Sequence, residues 1–242
     1  MKRESWTKAV WVVMFSLLLC QACAPTKTFR THPQFDTRIA AVSKPGLLPV
    51  DAKVYVLDAG GIQELQDEWS AEAGRHVQGS CIGCLAQKQR TVEPVVVSKE
   101  LEEELEDIQA LYRAVSTSIL LHTYTQPNLF PEKVSHFDYT LGPIQDFLAK
   151  VNADALIFVY AQDKISTAGR QALMATGIVL GALAGVAVVP RGGAAFVSLA
   201  VVDSSGDILW FNVQSGPQYD LRKPEDVKAL VTALLADFPA GR

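Results

Sequence analysis

Apolar residues change their spacing several times along this chain, and each change marks an element. Residues 52 to 58 hold Val54, Tyr55, Val56 and Leu57 in a short run that stops at Gly60-Gly61, which predicts a buried strand. Spacings of three and four then take over. Ile62, Leu65, Trp69 and Ala73 share one side of a predicted helix, with Glu64, Asp67 and Glu68 near its start and Arg75-His76 near its end, the charge order a helix dipole favours. Residues 91 to 97 read as a second strand. Ser98 stands where it can cap a long helix whose apolar stripe is Leu101, Leu105, Ile108, Leu111, Val115, Ile119 and Leu120. The acids from Glu100 to Asp107 lie at the start of that helix, so they read as a solvated face that complements the dipole and not as a metal cluster.

The second half is more apolar. After a loop with Pro127 and Pro131, residues 143 to 151 predict a short helix with Ile144, Phe147 and Leu148 on one side. It runs into Ala155-Leu156-Ile157-Phe158-Val159-Tyr160, apolar on both faces and therefore a strand from the middle of a sheet. Residues 194 to 202 form another strand, Asp203-Ser204-Ser205-Gly206 a hairpin turn, and residues 207 to 213 the strand that pairs back. A helix over 223 to 238 closes the chain, with Pro224 in its first turn and Val227, Leu230, Val231, Leu234 and Leu235 as its buried stripe. Trp69 and Trp210 each fall inside a periodic element and read as core anchors. These elements predict an α/β (α+β) domain over residues 51 to 242, with a mixed, largely antiparallel sheet and packed helices.

Two short stretches carry a resemblance. Asn152-Ala153-Asp154-Ala155-Leu156-Ile157-Phe158 and Val201-Val202-Asp203-Ser204-Ser205-Gly206-Asp207-Ile208-Leu209-Trp210 make residues 138 to 238 resemble envelope lipoproteins whose mixed sheet is related to the curli secretion-channel lipoprotein and to the amino-terminal domain of the Tol-Pal propeller protein. The resemblance implies a fold and a role in assembly. Within it Asp203 and Gly206 are turn-formers, as Asx and Gly turn chemistry also suggests.

The amino terminus suits that setting. Lys2, Arg3 and Lys8 accompany an apolar stretch from Ala9 to Leu19, the pattern of a bacterial signal peptide over residues 1 to 22. Leu19-Cys20-Gln21-Ala22-Cys23 resembles a lipoprotein signal-peptidase site. Cys23 follows small Ala22 and is the better lipid acceptor, because Cys20 follows bulky Leu19. An ordinary secretory signal cut nearby is the other reading. Lipidation at Cys23 implies attachment to a membrane by several acyl chains, and Ala24 after it implies the outer membrane, with the domain facing the periplasm. Residues 24 to 49 mix prolines and glycine with scattered charges, so 23 to 50 read as a lipidated tether. Losing residues 1 to 22 removes three basic residues and one acid from totals of 22 and 26, which leaves 19 minus 25, or −6. That mild acidity, without a Lys/Arg cluster, argues against a nucleic-acid partner.

Two stretches have chemical potential. Residues 171 to 190 are 20 residues without a charge, between Arg170 and Arg191, and Gly177, Gly181 and Gly185 recur at every fourth position. As a helical insertion over 170 to 193 this glycine zipper would serve self-association or packing on its own domain; a membrane-inserting helix and a glycine-rich loop are the alternatives. Cys81-Ile82-Gly83-Cys84 reads as a loop, which in an oxidising envelope predicts a disulfide between Cys81 and Cys84; a metal site with His76 and a redox pair are the competing readings. His32, His76, His122 and His136 are scattered, and no Gly-x-Ser-x-Gly, phosphate-loop or zincin pattern occurs. No catalytic residue, metal ligand set or cofactor is therefore predicted. The expected function is a non-catalytic envelope lipoprotein that scaffolds or assembles a membrane-associated complex for secretion or surface structures, as a homo-oligomer or with other envelope proteins. The alternative is a periplasmic binding module for a metal or small ligand at the Cys81/Cys84 loop.

Overall fold

The apolar stretch after Asp154 becomes the spine of the sheet. The computed structural model describes residues 28–125, 127–171 and 193–241. In chain order the strands are β1 (Arg30–Thr31), β2 (Pro45–Leu47), β3 (Asp51–Leu57), β4 (Gln63–Leu65), β5 (Glu93–Pro94), β6 (Ala155–Ser166), β7 (Ala195–Asp203) and β8 (Ile208–Gly216). The helices are α1 (Phe35–Ala41), α2 (Asp67–Gln87), α3 (Glu102–Thr123), α4 (Pro131–Ser135), α5 (Gln145–Val151) and α6 (Pro224–Leu234).

The strands form one sheet in the order β5-β2-β6-β7-β8-β1. Its long ladders, β6 with β7 and β7 with β8, are antiparallel. β6 takes two parallel partners along its other edge: β2 beside residues 155–157 and β3 beside residues 160–166, with β4 folded back on β3. Both faces of β6 are buried. Ile157, Val159 and Ala161 join the core under α2 and α6, while Leu156 and Phe158 join the core under α3 and α5. A fully buried Leu or Phe contributes about 1.5–3 kcal/mol relative to exposure, so a strand buried on both sides is the energetic centre of the fold. The mixed, largely antiparallel sheet with packed helices is present as the sequence predicts.

The β7–β8 hairpin turns where expected. The Gly206 N–H donates to the Asp203 carbonyl at 2.9 Å, and Gly206 has φ +85°, a conformation glycine adopts without strain. A register shift sets Val201 opposite Trp210 but Val202 opposite Ile208, so Leu209 is the extra residue of a bulge. Leu209 and Trp210 consequently both reach the core under α6.

Three expectations need correction. The predicted tether is folded from residue 28 onward: β1 pairs with β8, α1 buries Ile39, and Leu47 and Leu48 are fully buried. The helix expected from Ile62 begins at Asp67, because residues 63–65 extend as β4, and it continues to Gln87 through the stretch read as a cysteine loop. Ala73, Val77, Cys81 and Leu85 repeat at every fourth position and bury one stripe, and that burial overrides the local helix cost of Gly79 and Gly83. The strand expected over 91 to 97 shrinks to Glu93–Pro94, where Pro94 has no N–H to extend a ladder.

Candidate functional site

Cys23 and the zipper glycines Gly177, Gly181 and Gly185 lie outside the described residues; the residues on either side of 172–192 are held by specific contacts. After β6 the Thr167 N–H donates to the Leu57 carbonyl at 2.9 Å, and the Gln171 amide Nε2 donates to the Ser166 carbonyl at 3.1 Å. On the return, a Cβ at Gly193 would overlap the Lys164 carbonyl, so only glycine fits against β6 there. Beside these contacts lies a cleft of ≈ 440 Å³ lined by Asp163, Gln171, Gly193, Tyr219, Asp220 and Arg222 among others.

Asp163 is the buried charge of that cleft. Its carboxylate accepts the Leu221 N–H at 2.9 Å, and burial pushes its pKa up against the opposing pull of that hydrogen bond. Asp220 is held by Arg222, whose guanidinium donates to it at 2.7 Å and also lies 4.7 Å from the centroid of the Trp69 ring. A buried carboxyl in a cleft is a candidate acid or base in principle. Here its hydrogen bond goes to backbone, and its role is to fix the loop between β8 and α6 onto β6.

The cysteines differ from expectation in place and state. Both are free thiols, so the expected Cys81–Cys84 disulfide is not formed. Three residues apart inside a helix, their Cβ atoms are separated by about 5–6 Å, further than a disulfide spans. Cys81 is wholly buried, and burial followed by the neighbouring Cys84 pushes its thiol up to about 12. Such a thiol is inert, which removes support from the redox reading. Cys84 sits on the seam with α6, its Sγ 3.6 Å from Thr232 Oγ1. His76 and Cys84 are eight residues apart on one helix, about 12 Å along its axis, too far to share a metal. His76 instead approaches the Leu221 carbonyl at 3.4 Å, and among the described residues no group of three His, Cys, Asp or Glu side chains could hold a metal ion. The metal alternative at Cys81/Cys84 thus loses its third ligand.

Two polar clamps escaped the sequence reading. Asp154 accepts from the Ser43 N–H and hydroxyl, both at 2.7 Å, and from the Lys44 N–H at 2.9 Å. Burial pushes its pKa up, but those hydrogen bonds more than offset this and leave it lowered. Arg38 of α1 pairs with Asp203, with Asp207 at 2.9 Å and with the Ser205 hydroxyl at 2.5 Å, tying the amino-terminal segment to the hairpin turn. Sequence offered one signal, an aspartate just before a buried strand, and no hint of its partners 111 residues away. The acids at the start of α3 are mostly exposed, as expected of a solvated face. Trp210 is fully buried, whereas Trp69 is half-buried beneath Arg222.

No family model matches the chain, and no curated protein matches it. Among solved structures, the PelC dodecamer from Paraburkholderia phytofirmans aligns with a TM-score of 0.40 and 10% identity, over 88% of this chain and 96% of that chain. A likeness of that size assigns neither family nor function.

Proposed function

We propose that this chain is a lipid-anchored envelope protein, held at the outer membrane through Cys23 and facing the periplasm, that works without catalysis as a part of a larger assembly. The observation that carries the reading is the shortness of the leash. Thr28, five positions after Cys23, is already hydrogen-bonded to Asp237, so the point where an anchored domain begins would stay within about 18 Å of the lipidated residue. A domain held so close suits a fixed component of a membrane complex better than a freely ranging binding module.

Two further features support assembly. β1 pairs with only Trp210 and Phe211 of β8, so among the described residues no strand covers the outer edge of β8 from 212 to 216. Such an edge is open to another chain. The uncharged 172–190 segment with its glycines springs from a braced base, which suits an association element. The test is the size of the mature protein in mild detergent, compared with a chain lacking residues 172 to 190. A large, defined species that collapses on deletion is expected; a monomer in both cases would contradict the assembly role.

A further inference from the structure

Exposed apolar side chains gather where the chain enters the fold. The large exposed apolar residues among those described are Ile62, Leu65, Val96, Leu111, Leu121, Leu129, Phe130 and Val134. Half of them, the last four, fall between 121 and 134, at the end of α3 and in the loop that carries α4. Leu129 is 60% exposed and Phe130 44%.

That loop is braced rather than slack. The Phe130 N–H donates to the His122 carbonyl at 3.2 Å and its ring meets the His122 ring edge-on at 4.5 Å. His122 Nδ1 in turn lies 2.7 Å from the Tyr139 hydroxyl. The loop also adjoins β1. Arg30 donates to the Thr123 carbonyl at 2.5 Å and lies 4.3 Å from the Tyr124 ring centroid, while Val134 shares a cleft with Phe29, Thr31 and Phe35. The apolar patch therefore adjoins β1, which begins two residues after Thr28, the described residue nearest in sequence to Cys23. Four residues lie between the two, so their Cα atoms are at most about 18 Å apart.

Resting on the anchor reading above, we propose that this patch is a bilayer-contact surface: Leu129 and Phe130 enter the headgroup and acyl boundary of the membrane that carries the lipid, with Leu121 and Val134 at the margin. Apolar side chains of interfacial segments bury about 5–10 Å deep, well within the reach of so short a leash. The patch carries charges of both signs, Glu132 with Lys133 paired to Asp138, so the contact is apolar insertion and is insensitive to salt and to anionic lipid. The surface holds the domain in one orientation, with the β1 edge toward the bilayer.

The test uses the full lipidated chain carrying Phe130→Trp, or Leu129→Trp as a second variant, in phosphatidylcholine vesicles with brominated acyl chains. Emission is read as the difference from the parent, and Ile62→Trp, on the β3–β4 hairpin, is the control. Intact mass establishes lipidation at Cys23, and unfolding midpoints equal to the parent's establish that the variants fold. The expected result is a shift to shorter wavelength and a loss of emission at 130 and 129, unchanged in high salt, with none at 62. Lipidated protein without quenching at either loop position overturns the contact while leaving the anchor. A mass without acyl chains overturns the anchor, and the contact with it. Cross-linking of residue 130 to a second copy, in place of quenching, overturns it in favour of a protein interface.

Discussion

The sheet supports two departures of the chain, one at the β1 edge and one at the end where β6 gives way to β7, and it braces them in different ways. At the β1 edge a two-residue strand would be weak alone, and the segment that follows it is tied down by long-range polar clamps: α1 through Arg38 to Asp203 and Asp207, and the entry to β2, on the far side of β6, through Ser43 and Lys44 to Asp154. At the other site the chain leaves and returns on the two central strands, with Gly193 pressed against Lys164. The sites are well separated: Arg30 aligns through Phe211 and Ala200 with Phe158, and Ser166 lies eight residues further along β6 (166 minus 158), about 26 Å at 3.3 Å per residue. The proposed membrane anchor and the proposed association element would therefore act from one small domain without competing for one surface.

Substitutions can break this comparison in order of size. Trp210→Ala, under Phe29 at the β1 edge and against Phe238 at 5.0 Å, should cost about 3–5 kcal/mol in denaturant unfolding. Trp210→Phe should cost much less, because the buried indole N–H it removes has no hydrogen-bond partner. Equal losses would mean that this N–H matters to the edge. At the other site, Gly193→Ala should cost about 1–3 kcal/mol by forcing the return strand off Lys164; a neutral result would show that the base is not tightly packed.

Two aspartates sharpen the contrast through pH. Asp154→Ala should cost about 1–2 kcal/mol at neutral pH. Since its pKa is lowered on folding, its contribution is present above the unfolded value near 3.8 and is lost as pH falls through the lowered folded value. Asp163 has the opposite sign. Its pKa is raised, so its contribution is full below 3.8 and is lost as pH rises through the folded value. Asp163→Asn keeps an acceptor for the Leu221 N–H and removes the buried charge, and should raise neutral-pH stability by up to about 1 kcal/mol. A clear loss would give the negative charge itself a role in the cleft. Smallest of all, Cys84→Ser should change stability by less than about 0.5 kcal/mol, and a thiol reagent should label Cys84 in the native state while sparing Cys81.

The centre of the fold was legible because its signals are local. β6 shows an unbroken apolar run, and the β7–β8 turn shows Asp-Ser-Ser-Gly with its side-chain and backbone hydrogen bonds two and three residues apart. The amino-terminal segment was not. Between residues 28 and 50 the only buried large apolar side chains are Ile39, Leu47 and Leu48; Phe29, Phe35, Val42 and Val50 pack partly buried against the core, and the polar clamps reach residues more than a hundred positions away. The cysteine helix was hidden by glycines that sterics do not require. A Cβ at Gly79 or Gly83 would meet nothing, so their presence mimics a loop inside a helix. Clamps such as Asp163 to Leu221 leave no periodic trace at all, since one carboxylate and one backbone N–H suffice.

Everything proposed for the β1 edge depends on Cys23, and its chemistry can be read directly. The decisive measurement is the mass of the amino-terminal peptide of the mature protein isolated from its own envelope. The account predicts that the chain begins at Cys23 and that this residue carries acyl chains. An unmodified cysteine, or a mature terminus at another residue, would contradict it.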